Sequence, residues 1–132
     1  MKKYKIIDFK ELGDLRGKLV VVEGMKDIPF EIKRIFYIYG TKPNVIRGQH
    51  ANKISRFILI NLSGECKVKV NDGKNEEVFI LNKPNQGIYL DRMVWKDMYD
   101  FSEDSILLAL SDSEYINDEY IKDIEEIKTL ER

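Results

Sequence analysis

Between residues 4 and 110, β-branched and aromatic residues occur in short runs that turn residues separate. Runs of this length and composition are typical of β-strands and too short for ordinary helices. Eight of them can be read along the chain: YKIIDF, KLVVVEG, IKRIFYIYG, RFILINLSG, CKVKV, EVFIL, GIYL and SILLALS. Eight short antiparallel strands are typical of a jelly roll. The sequence therefore predicts an all-β sandwich or barrel.

The segment NDGK at 71–74 supports this prediction, because it lies between two of the runs. Asn and Gly tolerate positive φ, so the segment indicates a tight hairpin. In the run before it, apolar and charged residues alternate, with Cys66, Val68 and Val70 set against Lys67 and Lys69. Side chains of a strand point to opposite faces in turn, so one face meets a core and the other meets water.

The C-terminal segment changes character. Its apolar residues Tyr120, Ile121, Ile124 and Ile127 follow a helical spacing, with acidic residues between them. This pattern predicts a short C-terminal helix packed on the sheet.

Length and composition narrow the class of protein. A chain of 132 residues has the length of one domain, and we expect a single domain over residues 1–132. With 22 Lys+Arg against 23 Asp+Glu, no basic surface for nucleic acid or an anionic membrane is indicated. Cys66 is the lone cysteine, so no intrachain disulfide can form, and no apolar run reaches membrane-spanning length. These features predict a soluble, cytoplasmic protein.

His50, in the segment RGQHANK at 47–53, is the only histidine. It could be a general base, a metal ligand or a packed structural residue. A metal site is disfavoured, because the segment has no His-x-His pair and no neighbouring cysteine. We therefore expect no metal and no cofactor, which leaves acid/base chemistry or ligand binding.

Tyrosines could supply the second group that proton abstraction next to a carbonyl requires. In IKRIFYIYG, Tyr37 and Tyr39 share one face of the predicted strand, and Arg34 lies on the other. If the tyrosines face a cavity, Arg34 faces elsewhere unless a bulge intervenes. Core packing of the two rings is the alternative.

Three further residues are candidates for ligand contact. Arg47 lies next to Gly48, where the absence of a side chain lets a ligand approach, and Arg16 has the same Arg-Gly form. Trp95 could wall a pocket or stack on a base or sugar. The alternatives are solvated arginines and a tryptophan packed in the core.

Several motifs together resemble one known family. They are IPFxIKRxFYI, RGxHA, VWxxMxDFS and YxxxEYI, and in this order and spacing they cover nearly the whole chain. The chain is similar to the nucleotide-sugar 3,4-ketoisomerases, the WxcM-like branch of the RmlC-like cupins. The resemblance implies a metal-independent cupin jelly-roll barrel and a homodimer that exchanges N-terminal strands.

The same resemblance implies a reaction. The family moves the carbonyl of dTDP-4-keto-6-deoxyglucose from C4 to C3 through an enediol, for amino-sugar synthesis in a surface polysaccharide such as the O-antigen of lipopolysaccharide. It implies His50 as the base, Tyr37 as its pocket partner and Arg47 at the nucleotide sugar. With these we expect Asn52, Arg16, Tyr39, Trp95 and Lys96 as substrate-binding residues.

The chain departs from the family pattern at two places and carries a lysine at a third position, which varies among members. Typical members have a second histidine where this chain has Asn52, and a glutamine where it has Phe57. An amide is no base at neutral pH, but it can hold a hydroxyl or a keto oxygen. The residue after the tryptophan varies in the family and is Lys96 here. Two alternatives therefore stand beside the isomerase: a cupin 3,5-epimerase of a dTDP-4-keto sugar, and a non-catalytic nucleotide-sugar binding protein.

Overall fold

The computed structural model describes residues 3–130. Twelve strands and one helix lie in this part of the chain. In chain order they are β1 (Tyr4–Asp8), β2 (Glu11–Asp14), β3 (Gly17–Val20), β4 (Arg34–Tyr39), β5 (Arg47–Asn52), β6 (Phe57–Ser63), β7 (Cys66–Asn71), β8 (Glu76–Leu81), β9 (Gln86–Leu90), β10 (Trp95–Tyr99), β11 (Ile106–Ser111), β12 (Tyr120–Ile121) and α1 (Ile124–Leu130).

The strands form two five-stranded sheets and a separate hairpin. The first sheet has the order β1-β9-β6-β11-β4, the second the order β12-β5-β10-β7-β8, and β2 pairs with β3 alone. The strand pairs are antiparallel. The predicted all-β fold with a short C-terminal helix is confirmed.

The main hydrophobic core lies between the two sheets. Residues from both sheets meet there, among them Phe57, Leu59, Ile88 and Leu107 of the first and Cys66, Val68, Val70 and Met98 of the second. The alternation predicted for residues 66–70 is confirmed, because its apolar members are buried and its lysines are only half-buried. Exclusion of these side chains from water is the main force that holds the sheets together.

The predicted hairpin at 71–74 joins β7 to β8. The amide of Asp72 donates to the carbonyl of Asn75 over 3.2 Å, and Gly73 has a φ of 97°. The Asn71 side chain accepts from the Gly73 amide over 2.8 Å. The turn chemistry therefore fixes the register of this strand pair.

The helix begins later than the sequence pattern predicts. Tyr120 and Ile121, which we expected in the helix, form β12 and pair with Asn52 and Ala51 of β5. The prediction was wrong there because a strand next to β5 gains backbone hydrogen bonds that local periodicity does not reveal. The helix has seven residues, and within the described part of the chain no helix is long and apolar enough to cross a membrane.

The sequence pattern did not identify β2, β5 or β10. Every residue of β2 is exposed, so it has no buried face to create an alternation. Strands β5 and β10 read RGQHAN and WKDMY, and both carry polar residues into the interior. These two neighbouring strands hold the candidate site.

Candidate functional site

Strand β5 carries a β-bulge directly before His50. Gly48 and Gln49 have positive φ values of 83° and 56°. Opposite them the pairing with β10 shifts, because Lys96 pairs with His50 while the next residue, Asp97, pairs with Gly48. Such a bulge inserts one unpaired residue and changes which side chains share a face.

The bulge brings Arg47 and His50 to the same face of the sheet. Residues three apart in a regular strand point to opposite faces. Here Arg47 pairs with Met98, and His50 pairs with Lys96. Met98 belongs to the core between the sheets, and Lys96 pairs on its other side with the buried Val70. His50, Arg47 and Lys96 therefore all lie on the inward face, with Arg47 exposed at its edge.

His50 is a neutral imidazole at physiological pH. Burial, reinforced by the nearby charge of Lys96, lowers its pKa from 6.5 to about 4. Its Nδ1 lies 2.9 Å from the carbonyl oxygen of Gly48, so the neutral ring donates this N–H to the backbone. The Tyr120 ring packs edge-on against the imidazole with the centroids 4.7 Å apart. Nε2 is left as a proton acceptor in a fixed ring.

Lys96 is a buried amine beside this base, with 4% of its surface exposed. Its Nζ donates to Oδ1 of Asn52 over 2.8 Å and lies 4.8 Å from the centroid of the Phe57 ring. Burial lowers its pKa from 10.5 to about 7, and the charge of Arg34 acts in the same direction against that of Glu119. Lys96 can therefore both give and take a proton near neutral pH.

Glu119 supplies the negative charge in this region and is 1% exposed. It accepts hydrogen bonds from the backbone amides of Ile54 and Ser55 over 3.1 and 2.8 Å and from the Ser55 hydroxyl over 2.6 Å. Burial alone would raise the pKa of Glu119, but these hydrogen bonds outweigh it and lower the pKa. The carboxylate is therefore ionised and ties the segment after β5 to the segment before β12.

Arg34 enters the site from the first sheet. Its guanidinium lies 5.6, 5.7 and 5.8 Å from the ring centroids of Phe36, Phe57 and Tyr115. Alternation along β4 left open which of its faces points inward, and the structure shows that the Arg34 face does. Sequence reasoning did not select Arg34, Glu119 or Tyr120 as site residues. For Arg34, the sequence signal that could have identified it is its position on the same strand face as the apolar residues Phe36 and Ile38.

Two buried side-chain nitrogens among the described residues have no hydrogen-bond partner: Nε of Arg34 and Nδ2 of Asn52. Both belong to this group of side chains. Buried donors without an acceptor are costly, and either water or a bound ligand can complete their hydrogen bonding. We use the name "His50 cluster" for Arg34, His50, Asn52, Phe57, Lys96, Glu119 and Tyr120.

Arg47 lies at the exposed edge of the inward face, beside the His50 cluster, and four other predicted site residues are not brought to the cluster within this chain. Tyr37 and Tyr39 lie on the opposite face of β4, where they are 62% and 70% exposed and their rings stack 6.2 Å apart. Arg16 lies at the tip of the β2–β3 hairpin and pairs with Asp14 over 2.6 Å. Trp95 packs against Ala51, Ile121 and Ile127 beneath the C-terminal helix. Within one chain the two tyrosines neither face the cavity nor pack in the core, because β4 turns its Arg34 face inward.

The His50 cluster contains only two residues of the types that usually bind metals, His50 and Glu119. Within residues 3–130, no group of three or more His, Cys, Asp or Glu side chains is arranged to hold a metal ion. The groups that converge here are an imidazole, an amine, a guanidinium and an amide, which suit proton transfer and the binding of oxygen atoms.

The two antiparallel sheets and the polar cluster between them define a cupin-type barrel with an acid/base site. A family model described as "FdtA: WxcM-like, C-terminal" matches residues 2–132. The chain belongs to this WxcM-like family, and the jelly-roll fold that the sequence predicted is confirmed.

Characterised relatives cover almost the whole chain. The TDP-4-oxo-6-deoxy-alpha-D-glucose-3,4-oxoisomerase of Aneurinibacillus thermoaerophilus is 40% identical over 124 residues, which are 94% of this chain and 89% of the relative. The structure of WlaRA, a TDP-fucose-3,4-ketoisomerase from Campylobacter jejuni, is 44% identical with a TM-score of 0.94, covering 99% of this chain and 97% of that one. A mutant of the 3,4-ketoisomerase QdtA from Thermoanaerobacterium thermosaccharolyticum, in complex with TDP-4-keto-6-deoxyglucose, is 33% identical with a TM-score of 0.93, covering 98% and 94%.

Proposed function

We propose that this protein is a nucleotide-sugar 3,4-ketoisomerase that converts dTDP-4-keto-6-deoxyglucose to a dTDP-3-keto-6-deoxyhexose by metal-independent acid/base proton transfer. The observation that carries the proposal is the neutral imidazole of His50, whose Nδ1–H is fixed on the Gly48 carbonyl and whose Nε2 is unprotonated. Its family membership and the activities of its relatives support the same reaction.

The chemistry follows from the substrate. A carbonyl at C4 acidifies the hydrogen at C3, so a positioned base can remove it and leave an enediol. Nε2 of His50 is that base. The unpartnered Nδ2 of Asn52 is a donor for an oxygen of the sugar, which agrees with the role that an amide can fill where relatives have a histidine. Return of the proton to C4 gives the 3-keto product.

Arg47 is the proposed contact for the anionic nucleotide. Its positive charge lies on the same face as His50 and at the exposed edge of the strand, where a diphosphate could approach. We assign to Asn52 and Lys96 the contacts deeper in the barrel. Trp95 would support the site from behind by packing β10 against the C-terminal helix.

We further propose a homodimer with exchanged N-terminal strands. The β2–β3 hairpin carries Leu12, Leu15 and Leu19 with 41%, 107% and 57% of their surface exposed. A lone hairpin is marginally stable in water, so these leucines favour docking against a second copy. In such a dimer, Arg16, Tyr37 and Tyr39 would reach the substrate of the partner subunit. The cytoplasmic location stays a prediction.

An NMR time course of dTDP-4-keto-6-deoxyglucose with the purified protein in deuterated water tests the reaction. We expect a C3 carbonyl to appear, and we expect His50→Gln to slow the conversion by about 10²- to 10⁴-fold, the usual contribution of a general base. Deuterium at C5 would instead identify a 3,5-epimerase. Tight dTDP binding without conversion by the wild type would identify a non-catalytic binding protein.

Subunit complementation tests the dimer. If Arg16 serves the partner's site, Arg16→Ala and His50→Gln chains mixed through unfolding and refolding should recover about a quarter of wild-type activity. Half of the dimers are then mixed, and each has one intact site. No recovery, together with a monomer in sedimentation equilibrium, would refute the exchange. Leu15→Glu should weaken association, whereas Val78→Glu, at a position that is 50% exposed on β8, is the matched control.

A further inference from the structure

The second family histidine is absent from this chain, and the structure places Lys96 in the same surroundings. Lys96 and His50 are directly opposite each other on β10 and β5, and such cross-strand pairs have Cβ atoms about 5 Å apart. The Nζ atom of Lys96 is hydrogen-bonded to Oδ1 of Asn52, the residue in the position of that histidine. Lys96, whose amine can gain and lose a proton, is thus hydrogen-bonded to Asn52, whose amide cannot.

The hydrogen bonds leave Lys96 able to act on a ligand. Asn52 takes one of the three N–H donors of an ammonium, and the Phe57 ring covers the nitrogen without accepting a strong hydrogen bond. Because Lys96 donates to Oδ1, the orientation of the Asn52 amide is fixed, and its Nδ2, which makes no close hydrogen bond among the described residues, is turned toward the Glu119 carboxylate. The ammonium of Lys96 therefore keeps two N–H donors for a ligand.

The charges around Lys96 keep it close to both protonation states. Glu119 favours the ammonium from the segment before β12, while Arg34 opposes it from β4. His50 on β5 is uncharged at neutral pH. Asp97, next to Lys96 on β10, pairs with Gly48 rather than with His50. The Asp97 carboxylate accepts a hydrogen bond from the Trp95 indole.

We propose that Lys96, held by Asn52, is a second catalytic residue that carries a proton between the two sugar oxygens, while His50 carries a proton between the two carbons. The inference rests on the proposed 3,4-ketoisomerase function. In this chain, Lys96 and Asn52 together take the place of the second histidine of the family.

The proton transfers balance in two steps. In the first, Nε2 of His50 removes the proton from C3, the C3–H electron pair forms the C3=C4 bond, and O4 takes a proton from the Lys96 ammonium. The intermediate is a neutral enediol beside an imidazolium and an amine. In the second, the amine takes the proton from O3 as the C3 carbonyl forms, and the imidazolium gives its proton to C4. Both side chains end in their starting states.

The pH profile of kcat/KM reports the free enzyme, so it is the first readout. The reaction needs His50 without its proton and Lys96 with its proton. We therefore expect activity to rise as pH passes about 4, where His50 loses its proton, and to fall as pH passes about 7, where Lys96 loses its own.

Two substitutions separate proton transfer from a structural role. Lys96→Met removes the amine, and Lys96→Gln restores a donor to Asn52 that does not titrate. We expect both to lower kcat by about 10²- to 10³-fold and to abolish the fall of activity near pH 7. Lys67→Met is the matched control, since Lys67 lies on the outward face of β7 and pairs with Asp100 over 3.0 Å. It should keep wild-type kcat and the wild-type pH profile.

The outcomes are distinct. Wild type that converts no keto-sugar refutes the proposed function itself. Wild type that converts it, with Lys96→Gln within about threefold of wild-type kcat or with the same fall near pH 7, refutes only the role of Lys96. Circular dichroism and the thermal midpoint of each variant show whether it is folded, and if Lys96→Met does not fold, Lys96→Gln still decides the question.

Discussion

Gly48→Ala is the substitution that most directly tests how β5 presents His50. Gly48 has a φ of +83°, and a Cβ built there would lie 2.9 Å from the backbone oxygen of Lys96 and 3.2 Å from Cε of Met98. The left-handed backbone costs a non-glycine residue about 1–2 kcal/mol. Crowding against a packed backbone adds roughly 1–3 kcal/mol. We therefore expect Gly48→Ala to lower the free energy of unfolding by about 2–5 kcal/mol.

Gly40→Ala is the matched control, because Gly40 has a φ of +68° but no atom within 4 Å of its built Cβ. Gly40→Ala isolates the cost of the left-handed backbone, and we expect it to lower the free energy of unfolding by about 1 kcal/mol. Urea unfolding of both variants and the wild type at one protein concentration measures the difference. If Gly48→Ala were no more destabilising than Gly40→Ala, the contact with Lys96 would not constrain the bulge. If it kept wild-type turnover, the bulge would not be what positions His50.

Three further predictions concern the charged groups of the site. Because the pKa of His50 is about 4 in the folded protein against 6.5 for the free side chain, the unfolded chain binds more protons between these values. Stability should therefore fall by about 2–3 kcal/mol as pH drops from 6.5 to 4, and His50→Gln should flatten this slope in urea titrations. Glu119→Gln should lower the free energy of unfolding by about 2–3 kcal/mol, since it removes a charged acceptor of three hydrogen bonds. Glu125→Gln, at an exposed position, should lower it by less than about 0.5 kcal/mol. Equal losses in the two variants would contradict the role of Glu119. Arg47→Gln should raise KM for the dTDP-keto-sugar about 10-fold or more with an unchanged thermal midpoint, and an unchanged KM would remove Arg47 from the nucleotide contact.

Local sequence patterns sufficed where one face of a strand is apolar and the other polar. The run from Cys66 to Val70 alternates without exception, and the turn after it has the residues that a hairpin requires. For this segment, the sequence therefore predicted the strand, its buried face and its pairing with the next strand. Periodicity also predicted the C-terminal helix, but Tyr120 and Ile121 pair with β5 and form a strand instead.

The site was harder to predict because polar residues occupy an inward face. His50, Asn52 and Lys96 interrupt the apolar alternation on which strand assignment depends, so β5 and β10 were not recognised. For β4, alternation defined two faces, but only the pairing with β11 decides which one points into the barrel. Glu119 gave no local signal, since its partner Ser55 is 64 residues away in the sequence.

The resemblance to a known family supplied what residue patterns could not. It indicated His50 as a base and drew attention to Asn52 and Phe57, although it said nothing about how these positions act together. The bulge at Gly48 also lies outside both kinds of reasoning. A glycine beside an arginine suggested ligand approach, whereas the structure shows that it changes the faces on which Arg47 and His50 lie.

The contacts of Lys96 have a consequence for how this site could have diverged. Asn52 bonds its amine and Phe57 covers it, so both departures from the usual family motif touch one side chain. A histidine introduced alone at position 52 would replace the amide oxygen that accepts from Lys96 with an imidazole that can itself become charged, and a glutamine alone at 57 would replace the ring beside the amine. The three residues should thus show strong epistasis, with double and triple exchanges tolerated better than the sum of single ones. An ancestral site with two histidines would have reached the present one through coupled rather than independent substitutions.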